Sequence, residues 1–257
     1  MKETRRVKNM SETLSAIVKR KSIRKYKDDL FTAEQESEVL AIIKGAQTLL
    51  PIETEAVLLP RAEFLKAVGG LFMIRAPYYL MIKSVKTEGY LLNAGFVGQN
   101  IILDLTGKGY GTCWLGGLWS KEKSEGDNYV ISIALGIPDE PFREDISGIN
   151  RKPVSEIAYG VTDGHSDALF AARLAPSARN IQPARYKCSQ NKLLVYRKKP
   201  VLPIMTNLQQ IDCGIAVANI MRAAPEYRFV GEENENVEEL AGCVYMGTLV
   251  KGAKTDE

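Results

Sequence analysis

The sequence predicts a mixed α+β fold, carried twice within one chain by an internal duplication. Three observations predict it. Short apolar runs rich in strand formers are interleaved with stretches of helical periodicity. A motif in a long apolar helix, Asn93-x-Gly95-x4-Asn100-Ile101, returns as Asp212-x-Gly214-x4-Asn219-Ile220. A helix that runs into a proline, Ala46 to Pro51, returns in the same order as Ala171 to Pro176. These repeats place a first half at residues 13–160 and a second, shorter half at 165–257, with a hinge near 160–165.

Thr13 to Lys21 reads as a short amphipathic helix. Thr32, followed by Ala33-Glu34-Gln35-Glu36, starts a second helix. Its Val39, Leu40, Ile42, Ile43, Ala46 and Leu50 keep helical spacing until Pro51 ends it. Glu55 to Leu59 and Tyr78 to Ile82 read as strands, the latter introduced by Ala76-Pro77. Between Glu88 and Leu105 lies a helix that is apolar all round, which makes it a central element and not a surface one. Gly107 or Gly109 then takes a left-handed backbone at the helix exit. Tyr129 to Leu135 is a buried strand stopped by Gly136-Ile137-Pro138. In the second half, strands are expected at Ala184 to Cys188, Leu193 to Tyr196, Tyr227 to Val230 and Cys243 to Val250.

Composition narrows the function. The chain has 257 residues, 45% hydrophobic and 25% charged, with a net charge of +3. Such a balance suits an ordinary globular protein and argues against a nucleic-acid partner. The basic residues Lys2, Arg5, Arg6 and Lys8 sit in an N-terminal stretch expected to be mobile. Cys113, Cys188, Cys213 and Cys243 form no C-x-x-C pair, so free thiols in a reducing cytosol are expected, with no metal site. No apolar run approaches the roughly 20 residues of a membrane span. A cytoplasmic location with no membrane contact is the expectation. The single histidine, His165, lies in Thr162-Asp163-Gly164-His165-Ser166 and is expected at the surface, which weakens hydrolase and metalloenzyme readings.

Two separated segments carry the chemistry. KRKSIRKY at residues 19–26 clusters Arg20, Lys21 and Arg24 around Ser22, and guanidinium forks and ammonium groups suit a phosphate. APSARNIQPARY at 175–186 supplies hydroxyl, amide and backbone donors from Ser177, Asn180 and Gln182, suited to a polar ring edge. Alone, the first is a solvated basic helix face and the second a helix stopped by Pro176. Their joint occurrence favours function. The run Thr106 to Thr112 is rich in glycine but follows a helix, so it fails as a dinucleotide fingerprint, and no Walker sequence is present. Cys113-Trp114-Leu115-Gly116-Gly117 joins apolar bulk to two glycines that let backbone approach a flat aromatic ring.

With NAGFVGQNIILDLTGKGYGTCWLGG at 93–117, ISIALGIP at 131–138 and NRKPVSEI at 150–157 added, the chain resembles the FMN-dependent nitroreductase family. Within it, the resemblance is to the branch with two nitroreductase-like halves fused in one polypeptide, which implies mixed antiparallel sheets flanked by helices and an internal pseudo-dimer in one chain, and it covers most of residues 13–250. The resemblance implies that Arg20, Lys21, Ser22 and Arg24 bind the ribityl phosphate and ring edge, with Arg151 adding to the phosphate pocket. It further implies that Leu115, Gly116 and Gly117 face flavin N5. Pro176, Ser177 and Asn180 match the segment that a partner subunit contributes in ordinary members, so one chain is expected to supply both sides. Two positions depart from the family pattern. Ala184 stands where tryptophan is usual, which opens the wall over the substrate pocket, and Gly116 stands at an acidic position near N5.

The activity implied is hydride transfer from NADH or NADPH through FMN to a nitroaromatic, quinone or similar small acceptor, by a ping-pong mechanism. No catalytic side chain is assigned. One FMN per chain is expected, because the first half carries Pro51-Ile52-Glu53-Thr54-Glu55 opposite Pro176-Ser177-Ala178-Arg179-Asn180, and the second offers Asp163 and Asp167 in place of the basic cluster. A flavin-binding storage or sensing protein without turnover is the competing reading, and a flavin-dependent oxidative enzyme is a third. The sequence leaves open the acceptor, the preferred nicotinamide and any further oligomer.

Overall fold

The computed structural model describes residues 12–70, 73–122, 128–231 and 237–252; Lys2, Arg5, Arg6 and Lys8 lie outside them. The chain divides into two compact units, Met1–Ser147 and Gly148–Glu257. The division falls upstream of residues 160–165 because the short strand Ala158–Gly160 pairs in parallel with Ala184–Ser189 of the second unit.

In the first unit, α1 (Glu12–Lys19) and α2 (Ala33–Lys44) precede the sheet. Thr32 starts α2 as a capping box: its hydroxyl accepts from the Gln35 N–H, and the Gln35 side chain accepts from the Thr32 N–H at 3.0 Å. The helix stops at Gly45, six residues before the proline expected to end it. Beyond it, the Leu49 and Leu50 N–H groups are captured by Asn93 Oδ1 at 2.8 and 2.9 Å, which a continuing helix would forbid.

The remaining elements are β1 (Thr54–Pro60), α3 (Arg61–Ala67), β2 (Val68–Gly70), β3 (Tyr78–Ser84), α4 (Tyr90–Gly107), β4 (Gly111–Leu115), β5 (Leu118–Ser120) and β6 (Tyr129–Gly136). Four strands form an antiparallel sheet in the order β1-β3-β6-β4, with Leu58 opposite Leu80 and Leu80 opposite Ile133. The short β2 and β5 pair separately. Phe64 stacks on Tyr79 with ring centroids 4.1 Å apart, locking α3 onto β3. The expected central helix is α4, buried without a break from Leu91 to Leu103. Gly98 permits its closest approach to the sheet, since a Cβ there would lie 2.3 Å from the Trp114 ring on β4. Gly109, with φ 90°, makes the left-handed exit.

In the second unit, α5 (Val154–Ile157), β7 (Ala158–Gly160) and α6 (Ser166–Leu174) lead to a 3-10 turn at Ala178–Asn180. There follow β8 (Ala184–Ser189), β9 (Lys192–Lys198), a 3-10 turn at Pro203–Met205, α7 (Thr206–Ala223), β10 (Tyr227–Val230) and β11 (Cys243–Lys251). The sheet order is β10-β11-β9-β8-β7, antiparallel except at the β7–β8 edge. The helix α7 is buried from Ile211 to Ile220 and packs on α6, β8 and β9.

His165 is a correction to the surface role expected of it. It is 1% exposed, with Nδ1 2.5 Å from the Tyr227 hydroxyl and Nε2 2.6 Å from the Ser189 carbonyl. A carbonyl can only accept, so Nε2 carries a proton, and in the neutral ring Nδ1 accepts from the Tyr227 hydroxyl. The polar residues around it form a turn whose histidine points inward, tying the start of α6 to the β8–β9 turn and to β10. The four cysteines are free, three of them buried and Cys243 half-buried. Among the described residues, no helix is long and apolar enough to cross a membrane.

Candidate functional site

In the first unit the basic segment is fixed as extended chain at the end of the sheet. Ile23, fully buried, donates its N–H to Thr112 O at 2.9 Å, and Ser22 bridges Thr112 in parallel. Lys27 donates to Ile137 O, and Asp139 to Lys25 O. A side chain at Gly111 would meet Ile23 at 2.9 Å, so that glycine is what lets the segment lie against β4. From Thr112, β4 runs about 10 Å to Leu115 at strand rise, then into Gly116 and Gly117, which turns with φ 80°.

Glu140 organises the cations. One carboxylate oxygen accepts from Arg24 N at 2.6 Å and Lys25 N at 3.3 Å, and the other pairs with Lys21 Nζ at 3.1 Å. These donors, the Arg24 N–H foremost, hold the carboxyl below the usual range against a smaller opposing effect of burial. Lys21 is therefore engaged by Glu140. Arg24 is exposed, its Nη1 on Ser22 O at 3.2 Å, while Arg20 is 4% exposed at the end of α1. Cys113 lies under this segment. Burial pushes its thiol up, and Arg24, Ser22 and Arg20, in that order, pull it partly back.

In the second unit, Arg151, Ser177 and Asn180 are joined through one polar network. Arg151 Nη1 donates to Asn180 Oδ1 at 2.6 Å, and Asn180 Nδ2 donates to Asn150 O at 3.0 Å. Gln182 Oε1 accepts from Lys152 N at 2.7 Å, and Ser177 Oγ accepts from Gln182 N at 2.8 Å. Pro176, Ser177, Gln182, Tyr186 and Asp212 line a small cavity of about 20 Å³, room for one water molecule. Arg179, Asn180 and Gln182 all take left-handed backbone, at φ 52°, 57° and 53°. Asp212, on α7, accepts the Ala178 N–H with both carboxylate oxygens, at 3.0 and 3.2 Å.

Two organising residues escaped the sequence reading. Glu140 lies 116 residues from its main partner, with no local signal. Asp212 had a signal, because it replaces asparagine at the first position of the repeated motif. Among the described residues, no group of three or more His, Cys, Asp or Glu side chains is gathered for a metal ion.

Residues 12–224 match the family described as "Putative TM nitroreductase". The chain belongs to this nitroreductase family. Its fold is shared with the crystal structure of a "putative nitroreductase" from Thermotoga maritima, at 18% identity and a TM-score of 0.64, covering 95% of this chain and 96% of that one. A nitroreductase family protein from Clostridium difficile 630 is 17% identical over 58% of this chain and 96% of its own, with a TM-score of 0.45. A nitroreductase with bound FMN from Desulfitobacterium hafniense is 17% identical over 56% of this chain and 100% of its own, with a TM-score of 0.39. No curated protein matches the chain at a significant level.

Proposed function

We propose that this nitroreductase-family chain is an FMN-dependent oxidoreductase that takes a hydride from NADH or NADPH and passes it to a small acceptor such as a nitroaromatic or quinone. The observation that carries this is the ordered basic segment, in which Arg20 and Arg24 flank Ser22 on a backbone held by β4 and Glu140. That donor set fits a phosphorylated flavin: guanidinium forks suit phosphate oxygens, and the extended backbone leads along β4 to glycines that admit a flat ring. When bound, FMN supplies the hydride acceptance and donation.

The chain's own residues hold and orient. Arg20 and Arg24 are the phosphate ligands in this reading, and Lys21, held by Glu140, steadies the segment. Leu115, Gly116 and Gly117 present backbone to the ring. On the second unit, Arg151, Pro176, Ser177 and Asn180 are proposed as flavin contacts on the strength of their donors. Acceptor protons come from water, and nicotinamide and acceptor use one exposed face in turn, giving ping-pong kinetics. Under the same reading the protein is cytoplasmic.

We further propose that the two halves arose by duplication, giving a pseudo-dimer within one chain. The matching contacts of Asn93 and Asp212 support this. Each sits at the same place in the repeated motif, and each accepts backbone N–H from a segment that follows an earlier helix, Leu49 and Leu50 after α2 and Ala178 after α6. Purified protein should carry a yellow chromophore that is released as FMN, and apoprotein should bind FMN at least tenfold tighter than riboflavin. Equal affinity for the two would remove the phosphate-binding role and with it this reading.

A further inference from the structure

The turn from Ser177 to Gln182 places three residues that are not glycine in left-handed backbone within four positions. Side chains resist that conformation, so it persists only where surrounding bonds over-determine it. Asn180 and Gln182 are tied to the 150–152 segment, and Ser177 is tied to Gln182. At the start of the turn, the Ala178 N–H is held by Asp212, which is 5% exposed and is the only side chain on it among the described residues.

A charge is not needed for that contact. In the first unit, Asn93 makes the equivalent capture of Leu49 and Leu50 N–H with a neutral amide. The carboxyl at 212 adds a second charge state, and the surroundings oppose it. Arg173 of α6 directs Nε to Lys152 O, and Arg185 of β8 directs Nη1 to the Gln182 and Ala184 carbonyls. Arg197 of β9 directs Nη1 to Gln209, and Arg179 of the turn is exposed. Tyr186 of β8 shares the cavity, Cys213 is the buried neighbour on α7, and Tyr227 of β10 is taken by His165. None of these cations pairs with Asp212. Burial raises its carboxyl to about 7, against the smaller opposing pull of the Ala178 N–H.

We infer that Asp212 is a positioning residue for the Ser177–Gln182 turn, holding it in its strained conformation through the Ala178 N–H when protonated and releasing it when ionised. The closed turn stabilises the neutral carboxyl, so ionisation favours an opened turn in which the charge is hydrated. Resting on the proposed flavin role of this turn, the inference assigns the site a dependence on pH in the neutral range.

The test compares the full-length protein with D212N between pH 5.5 and 8.5. Two quantities are read: the FMN dissociation constant, and the rate of tryptic cleavage after the exposed Arg179 in flavin-free protein. Both are expressed as ratios of wild type to D212N, which cancels the titration of FMN phosphate and the pH profile of trypsin. The ratios should be lowest at pH 5.5 and rise with pH, because the carboxyl titrates near 7 in the closed turn and near its ordinary 3.8 once hydrated. Relative to that, the wild type at pH 8.5 should bind FMN more weakly, and be cut faster, by about threefold or more, with the rise levelling off above pH 7. Ratios that stay constant across the range would overturn the inference. So would a D212N chain that fails to fold, because the neutral side chain is the one that holds the turn. If FMN binds at neither pH, the functional reading falls, and the cleavage ratio decides the role of Asp212 by itself.

Discussion

Replacing Asp212 by asparagine should make the protein more stable at pH 8 and leave it nearly unchanged at pH 4. The carboxyl titrates near its ordinary value of 3.8 in the unfolded chain and at about 7 in the folded one. Between those values the folded state binds one more proton than the unfolded state, so stability falls as pH rises through the window, and the loss is complete above pH 7. A difference of about three pH units corresponds to about 4 kcal/mol. Relaxation of the turn around the ionised carboxylate lowers this, and about 2–4 kcal/mol is expected at pH 8. Asparagine keeps an acceptor for the Ala178 N–H and removes the buried charge. Urea unfolding of both proteins at pH 4, 6 and 8, followed by circular dichroism, gives the difference directly, with every other titrating group common to both. A gap that does not widen between pH 4 and 8, or that widens in favour of the wild type, would refute the argument that burial governs this carboxyl.

Other consequences follow from the same contacts. His165→Ala should destabilise the second unit by about 3 kcal/mol, since it strands the Tyr227 hydroxyl and the Ser189 carbonyl and leaves a cavity; urea unfolding checks this, and a loss below about 1 kcal/mol would show that water replaces the ring. Arg20→Ala and Arg24→Ala should each weaken FMN binding about ten- to a hundredfold, the range set by charge-assisted bonds to phosphate, with riboflavin binding little changed by Arg24→Ala; fluorescence quenching titrations measure both. Gly98→Ala should cost about 1–3 kcal/mol, because the new methyl must displace the Trp114 ring from α4; a thermal melt unchanged from wild type would contradict that packing.

What the sequence showed of this fold was what local pattern encodes. The helix α4 was legible because apolar residues on all its sides leave burial as its only stable place. The long strands β3, β6 and β11 were legible from their runs of strand formers. The end of α2 was misplaced because Ala46 and Leu50 keep helical spacing, while the competing contact comes from Asn93, over 40 residues away. Strands of three residues such as β2, β5 and β7 escaped because pairing, and not their own pattern, makes them strands. His165 was misjudged for a similar reason. Its neighbours in sequence are polar, and its partners lie 62 and 24 residues away. At the candidate site, charge and hydroxyl content pointed to the 19–26 and 175–186 segments, but composition does not reveal which cation is already engaged. The Lys21–Glu140 pair is a tertiary fact.

The most direct test of the central claim is the visible spectrum of the FMN-loaded protein during anaerobic addition of NADH and, separately, NADPH. The account predicts that at least one of them bleaches the flavin band within seconds, and that the band returns when a quinone or nitroaromatic is added. A fully loaded protein whose flavin stays oxidised with both nicotinamides would contradict it, and would leave a flavin-binding protein without turnover.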